Sequence, residues 1–182
     1  MGCSAVPRPV YHATRARLGL MPAYIALGSN MGDPSRNVAR ALRALEGLSA
    51  TPVLKSSLWL TKPVGCPPGS PDFVNATALI EPLKYENPES LLANLLELEI
   101  GFGRLPKQID NEPRSLDLDL IAYNEEIRDT TELTLPHPRW HQRRFVLEPL
   151  NEIAPLAILP GQKYTVAHLL SITEGCGKMV RL

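Results

Sequence analysis

The stretch Glu112 to Tyr123, EPRSLDLDLIAY, decides how this chain is read. Alternation along a strand puts Leu116, Leu118, Leu120 and Ala122 on one face and Ser115, Asp117, Asp119 and Ile121 on the other. The leucine face belongs to a core. Two aspartates on the opposite face, about 7 Å apart at their Cα atoms, repel each other and are poor strand formers unless a cation lies between or beside them.

Outward from this strand the chain alternates types. Ala23 to Ser29 (AYIALGS) is a short apolar run closed by Gly28, Ser29 and Asn30, which reads as a strand and a turn. Asp33 is placed to cap a helix that has Pro34 at its first position, with Val38, Ala41, Leu42, Leu45 and Leu48 at helical spacing. PVLKSSLWLT is β-like, and FVNATALIE is a further strand. Between them KPVGCPPGSPD, with Pro63, Pro67, Pro68 and Pro71, reads as a loop long enough to be a lid or binding loop. Asn87 caps a second helix with Pro88 in its first turn and Leu91, Leu92, Leu95, Leu98 and Phe102 as its stripe, ending near Gly101 and Gly103. A hairpin through Asn124 to Glu126 is expected after the aspartate strand. Strand, helix, strand, strand, helix, strand is the split βαβ order of ferredoxin-like α+β folds, with a mostly antiparallel sheet and flanking helices.

A chain of 182 residues, 44% hydrophobic and 21% charged, suits one globular domain. Nineteen basic and nineteen acidic residues cancel, so no global field points to a nucleic-acid or membrane partner. Cys3, Cys66 and Cys176 are widely spaced without a C-x-x-C pair, which fits reduced thiols in the cytoplasm. No apolar run approaches the roughly 18 to 20 residues needed to span a bilayer. Residues 1–22 carry Arg8, His12, Arg15 and Arg17, no acid and no secretory apolar core, and are expected as a tail; Val6 stands where a myristoylation motif needs Ser or Thr. Met21 directly precedes the first strand, so translation is expected to begin there. The domain is expected over residues 23–172, with 173–182 as a C-terminal tail and the chain a monomer.

Two carboxylates on one strand face suit Mg²⁺, which takes one or two carboxylates and completes its shell with water and phosphate oxygens. A solvated face paired with neighbours such as Arg114 is the plainer alternative for an isolated D-x-D. The neighbours shift the balance: Arg104 and Arg114 flank the segment, and LPHPRWHQRRF concentrates His137, Arg139, His141, Arg143 and Arg144. Arginine forks fit phosphate oxygens, so acids beside arginines point to a polyphosphate substrate. The chain has no G-x-x-x-x-G-K-[ST] loop and no protein-kinase motif set.

Taken together, YIALGSN, PVG, PDFVNA, PRSLDLDL and LPHPRWHQRRFVLEPLNEIAP strongly resemble the 6-hydroxymethyl-7,8-dihydropterin pyrophosphokinases of folate biosynthesis, in order from about Tyr24 to about Leu170. The resemblance implies transfer of the β,γ-diphosphate of ATP to the pterin hydroxymethyl group with release of AMP. It implies that Asp117 and Asp119 hold two Mg²⁺ ions, that Phe73 and Phe145 sandwich the pterin, that Asn75 reads its polar edge, and that Thr61, Val64 and Gly65 line the same pocket. On the nucleotide side it implies Glu99, Arg114, Thr134, His137 and Arg143, with Arg104 among the catalytic arginines. The chain departs from the family pattern at Pro106, where Arg is usual and Lys107 stands beside it, and at Asn111 and Glu112, where Trp-Gly is usual. Lys107 is the expected substitute on ATP. The alternatives to an enzyme of this kind are a paralogue that binds pterin or nucleotide without turnover, and a metal-dependent nuclease, which fits the acids and arginines but not the pterin pocket.

Overall fold

The structure, a computed structural model, describes residues 21–104, 112–174 and 177–182. Its centre is strand β1 (Ala23–Ser29), buried on both faces along its whole length. Helix α1 (Pro34–Ala44) follows, capped as expected by the Asp33 side chain, which accepts from the Arg36 amide. A 3₁₀ turn (Leu45–Leu48) leads to β2 (Leu54–Lys55) and β3 (Trp59–Thr61), then β4 (Phe73–Ile80) and α2 (Pro88–Gly101). Strand β5 (Asp117–Tyr123) is the aspartate strand; β6 (Arg128–Asp129), β7 (Thr134–Leu135), α3 (Arg144–Ile153), α4 (Val166–Ile172) and β8 (Val180–Arg181) complete the chain.

The main sheet runs β5-β1-β4-β3-β8, with β2 also on β4, and its described pairings are antiparallel. Taking β1, β3, β4 and β5 in chain order as four strands, this is the ferredoxin-like arrangement that the split βαβ reading expects.

Two helix layers cover the sheet. Ile25, Leu27, Val74, Ala76, Leu118 and Leu120 face Val38, Ala41 and Leu42 of α1 and Leu91 and Leu95 of α2 in one core. On the other face Tyr24, Leu79 and Ile121 meet Val146, Leu147 and Leu150 of α3 and Val166 and Leu169 of α4. This second layer stops short. From the row of Ala26, Thr77 and Asp119 onward, the same sheet face carries Gly28, Asn75 and Asp117, and among the described residues only the start of α3 stands beside them.

Several expectations need correction. Ala122 packs in the second core, not on the leucine face, because the pairing register of β1 with β5 shifts between Tyr24 and Ile25 and an extra residue there reverses the alternation. Asn124 to Glu126 does turn the chain, with Asn124 at φ 46°, but no hairpin forms on β5; Arg128–Asp129 pairs with Thr134–Leu135 instead. PVLKSSLWLT divides at Ser56 to Leu58, where the Ser56 hydroxyl accepts the Thr77 amide (2.9 Å) and the Ser57 amide donates to Glu152 Oε2 (2.9 Å). Residues 177–182, expected as a tail, bring Val180 and Arg181 onto Leu60 and Trp59 at the sheet edge. Helices α3 and α4 lay outside the reading from sequence.

Candidate active site

The register of three strands builds the floor. Gly28 of β1 stands opposite Asn75 of β4 on one side and Asp117 of β5 on the other, and Ala26 stands opposite Thr77 and Asp119. The small residues of β1 leave depth between polar neighbours. A Cβ at Gly28 would lie 3.0 Å from Asn75 Oδ1, so the Asn75 side chain lies across the space that this glycine leaves.

The pocket above this floor has a volume of about 220 Å³. One wall is β4 with β3: Phe73 and Asn75 point the same way by strand alternation, and Asn75 Nδ2 donates to the Thr61 hydroxyl at 2.7 Å. Val64, Gly65 and Cys66 of the Pro-rich loop form the rim beside them. The facing wall is the start of α3, where Arg143 stands at the N-cap position and Phe145 lies in the first turn. Trp140, 1% exposed, anchors the segment leading into that helix. The guanidinium carbon of Arg114 is 5.9 Å from the Phe73 ring centre, and that of Arg143 is 5.6 Å from the Phe145 ring centre.

Asp117 and Asp119 complete the pocket. Arg104 Nη1 lies 3.1 Å from Asp117 Oδ1, Arg114 Nε lies 3.3 Å from Asp117 Oδ2 without hydrogen-bond alignment, and Arg143 Nη1 lies 3.5 Å from Asp119 Oδ2. Burial, and after it the like charge of Asp119, push the Asp117 carboxyl above its ordinary range despite these arginines. Among the described residues no third His, Cys, Asp or Glu joins the pair as a possible metal ligand. Two carboxylates in an open, phosphate-sized pocket suit Mg²⁺, whose remaining positions go to water and phosphate, and do not make a closed zinc site.

Ten of the residues expected from sequence therefore line one pocket: Thr61, Val64, Gly65, Phe73, Asn75, Arg114, Asp117, Asp119, Arg143 and Phe145. Glu99, Arg104, Thr134 and His137 do not line it. Glu99 is 2% exposed on the side of β5 away from the pocket; its Oε1 accepts the Leu118 amide (2.6 Å) and pairs with Arg104, and burial pushes its carboxyl up. It supports Asp117 through Arg104. The His137 amide donates to the Ile121 carbonyl (2.8 Å), and burial pushes its imidazole down although the charge of Asp119 pulls it up. Thr134 is exposed on β7. Lys107, with the departures at Pro106 and Asn111, lies outside the described residues.

Sequence reading missed Gly28, whose place inside a strand pattern was the available signal. Lys62 and Cys66, within the loop expected to bind, and Arg139, within the basic cluster, were not singled out and also line the pocket. Behind the pocket Asn30, 2% exposed, accepts the Arg114 amide (2.8 Å), and Ser29 donates to the Ser115 carbonyl (2.6 Å), so the GSN turn fixes the strand that carries the aspartates.

The sequence profile described as 7,8-dihydro-6-hydroxymethylpterin-pyrophosphokinase (HPPK) matches residues 24–155, which span every pocket residue named above. The chain belongs to the HPPK family. The 2-amino-4-hydroxy-6-hydroxymethyldihydropteridine pyrophosphokinase of Haemophilus influenzae is 42% identical over 164 residues, covering 90% of this chain and 99% of that protein. The protein of the same name from Bacillus subtilis is 39% identical over 132 residues, 72% of this chain and 77% of its own length. Among solved structures, a crystal structure of HPPK-DHPS in complex with substrates superposes with TM-score 0.66 at 12% identity, over 84% of this chain and 43% of that one. Wild-type Plasmodium falciparum HPPK-DHPS with pteroate gives 0.64 at 14% identity, over 83% and 42%. The chain spans less than half the length of these solved chains, and at this identity they speak to the HPPK fold alone.

Proposed function

We propose that this HPPK-family chain transfers diphosphate from ATP to 6-hydroxymethyl-7,8-dihydropterin, yielding the pterin diphosphate and AMP, as a cytoplasmic monomer acting on small-molecule substrates. The observation that carries the reading is the register row Asn75, Gly28, Asp117, which sets a polar group able to read a flat heterocycle beside an acid able to take a cation in one pocket. Phe73 and Phe145 stack on the two faces of the pterin, and Asn75 with Thr61 reads its polar edge, the combination that orients a flat heteroaromatic ring. Val64 and Gly65 close the rim over it.

Asp117 and Asp119 would hold Mg²⁺, two ions on this reading, and bound there Mg²⁺ supplies neutralisation of phosphate charge. In the transfer the hydroxymethyl oxygen bonds to the β-phosphorus, the bond from that phosphorus to the α,β-bridging oxygen breaks, AMP leaves with the electron pair and the hydroxyl proton is released. Arg114, Arg143 and Arg104 face the phosphate chain as fixed positive charges, and their present aspartate pairings hold them in place until phosphate oxygens compete for them. His137, Thr134 and Lys107 lie along the nucleotide, and Glu99 acts behind Arg104. Phosphoryl transfer asks for positioning and charge neutralisation rather than a protein nucleophile, and these residues provide both.

The test is AMP formation from ATP and the reduced hydroxymethylpterin, with Mg²⁺ omitted in one arm. AMP appearing only with both substrates and Mg²⁺ is expected. Affinity for either ligand without any AMP would make the chain a binding module.

A further inference from the structure

Lys62, Arg114, Arg139 and Arg143 are the cations that line the pocket among the described residues. Three of them face a carboxylate: Lys62 Nζ lies 2.8 Å from Asp72, Arg114 Nε 3.3 Å from Asp117 and Arg143 Nη1 3.5 Å from Asp119. Arg139 is exposed and has no acidic partner within ion-pair distance among the described residues. Its backbone is held on both sides: its amide donates to His137 Nδ1 at 3.2 Å, and the next residue, Trp140, is 1% exposed in the core.

An anion entering this pocket meets unlike costs at these side chains. Drawing Arg143 or Arg114 onto a phosphate oxygen breaks an existing pair with an aspartate. Engaging Arg139 breaks none. We infer that Arg139 is a further substrate-binding residue, which takes a phosphate oxygen of ATP before Arg114 is released from Asp117 and Arg143 from Asp119. The inference rests on the proposed function in taking ATP as the anion. It assigns Arg139 to ground-state capture of the nucleotide, with the paired arginines engaging afterwards.

The test titrates ATP with Mg²⁺, in the absence of pterin, against the wild type, Arg139→Ala and Arg139→Lys, with hydroxymethylpterin binding and Tm measured on the same samples. A charge-assisted contact at an exposed site predicts an ATP Kd raised about three- to tenfold in the alanine variant and partly restored by lysine, which keeps the charge but loses the planar fork. Pterin affinity and Tm stay within error of the wild type. Unchanged ATP affinity in Arg139→Ala overturns the inference, and so does an equal fall in pterin and ATP affinity, which would mark a structural role. A wild type that forms no AMP overturns the proposed function separately, because the titration reads ATP binding without turnover.

Discussion

On the proposed function Asp117 and Asp119 hold the cation, and the environment of Asp117 can be measured. Asp117 is held above its ordinary range by burial and by Asp119, so the fold favours its protonated form. Its favourable contribution is therefore present below the unfolded-state value and is lost as pH rises through the raised one. Asp117→Asn removes that loss: its Tm should exceed the wild type's at neutral pH, and the difference should shrink as pH falls below the aspartate range, while AMP formation is abolished. Asp119→Asn should abolish turnover as well, with the fold intact by circular dichroism. The aromatic wall gives a second comparison. Phe145→Ala should weaken pterin binding by about 1 to 3 kcal/mol through lost stacking and burial. Gly28→Ala should weaken pterin binding too, since its new Cβ would press on Asn75 Oδ1 at 3.0 Å and disturb the bond to Thr61; calorimetry with pterin and with ATP separates both variants from general unfolding, which would weaken the two ligands equally.

At the scale of elements, legibility followed period and punctuation. Helices α1 and α2 were readable because caps, a first-turn proline and a regular apolar stripe agree. Asp33→Ala should cost about 1 kcal/mol, the usual worth of an N-cap, read as a shift in denaturation midpoint at constant slope. Helix α3 was hidden because Pro149 sits in its interior, where the residue removes a backbone donor and normally argues against a helix. Its N-cap, Arg143, makes no side-chain capping bond, so the start carried no signal either. The exchange of an expected hairpin after β5 for the small β6–β7 pair, and the docking of β8 at the edge, are tertiary choices; two-residue strands have too little pattern to read.

At the scale of the whole molecule, the site exists because the second helix layer stops short of one end of the sheet. The two aspartates were visible as violations of strand preference, and their common face on one strand followed from alternation alone. The residue register that aligns Asn75, Gly28 and Asp117 across three neighbouring strands was not visible, since it is a long-range property. Arg139 escaped for a related reason: a cation among five basic or His side chains in one segment has no distinguishing local context, and its lack of an acidic partner shows only in three dimensions. The claim that this layout serves diphosphate transfer, rather than transfer of a single phosphoryl group or binding alone, is tested most directly by phosphorus NMR of one reaction mixture of protein, Mg²⁺, ATP and 6-hydroxymethyl-7,8-dihydropterin. The account predicts an AMP resonance growing with two mutually coupled phosphorus signals on the pterin; ADP with a singly phosphorylated pterin, or an unchanged ATP spectrum, would contradict it.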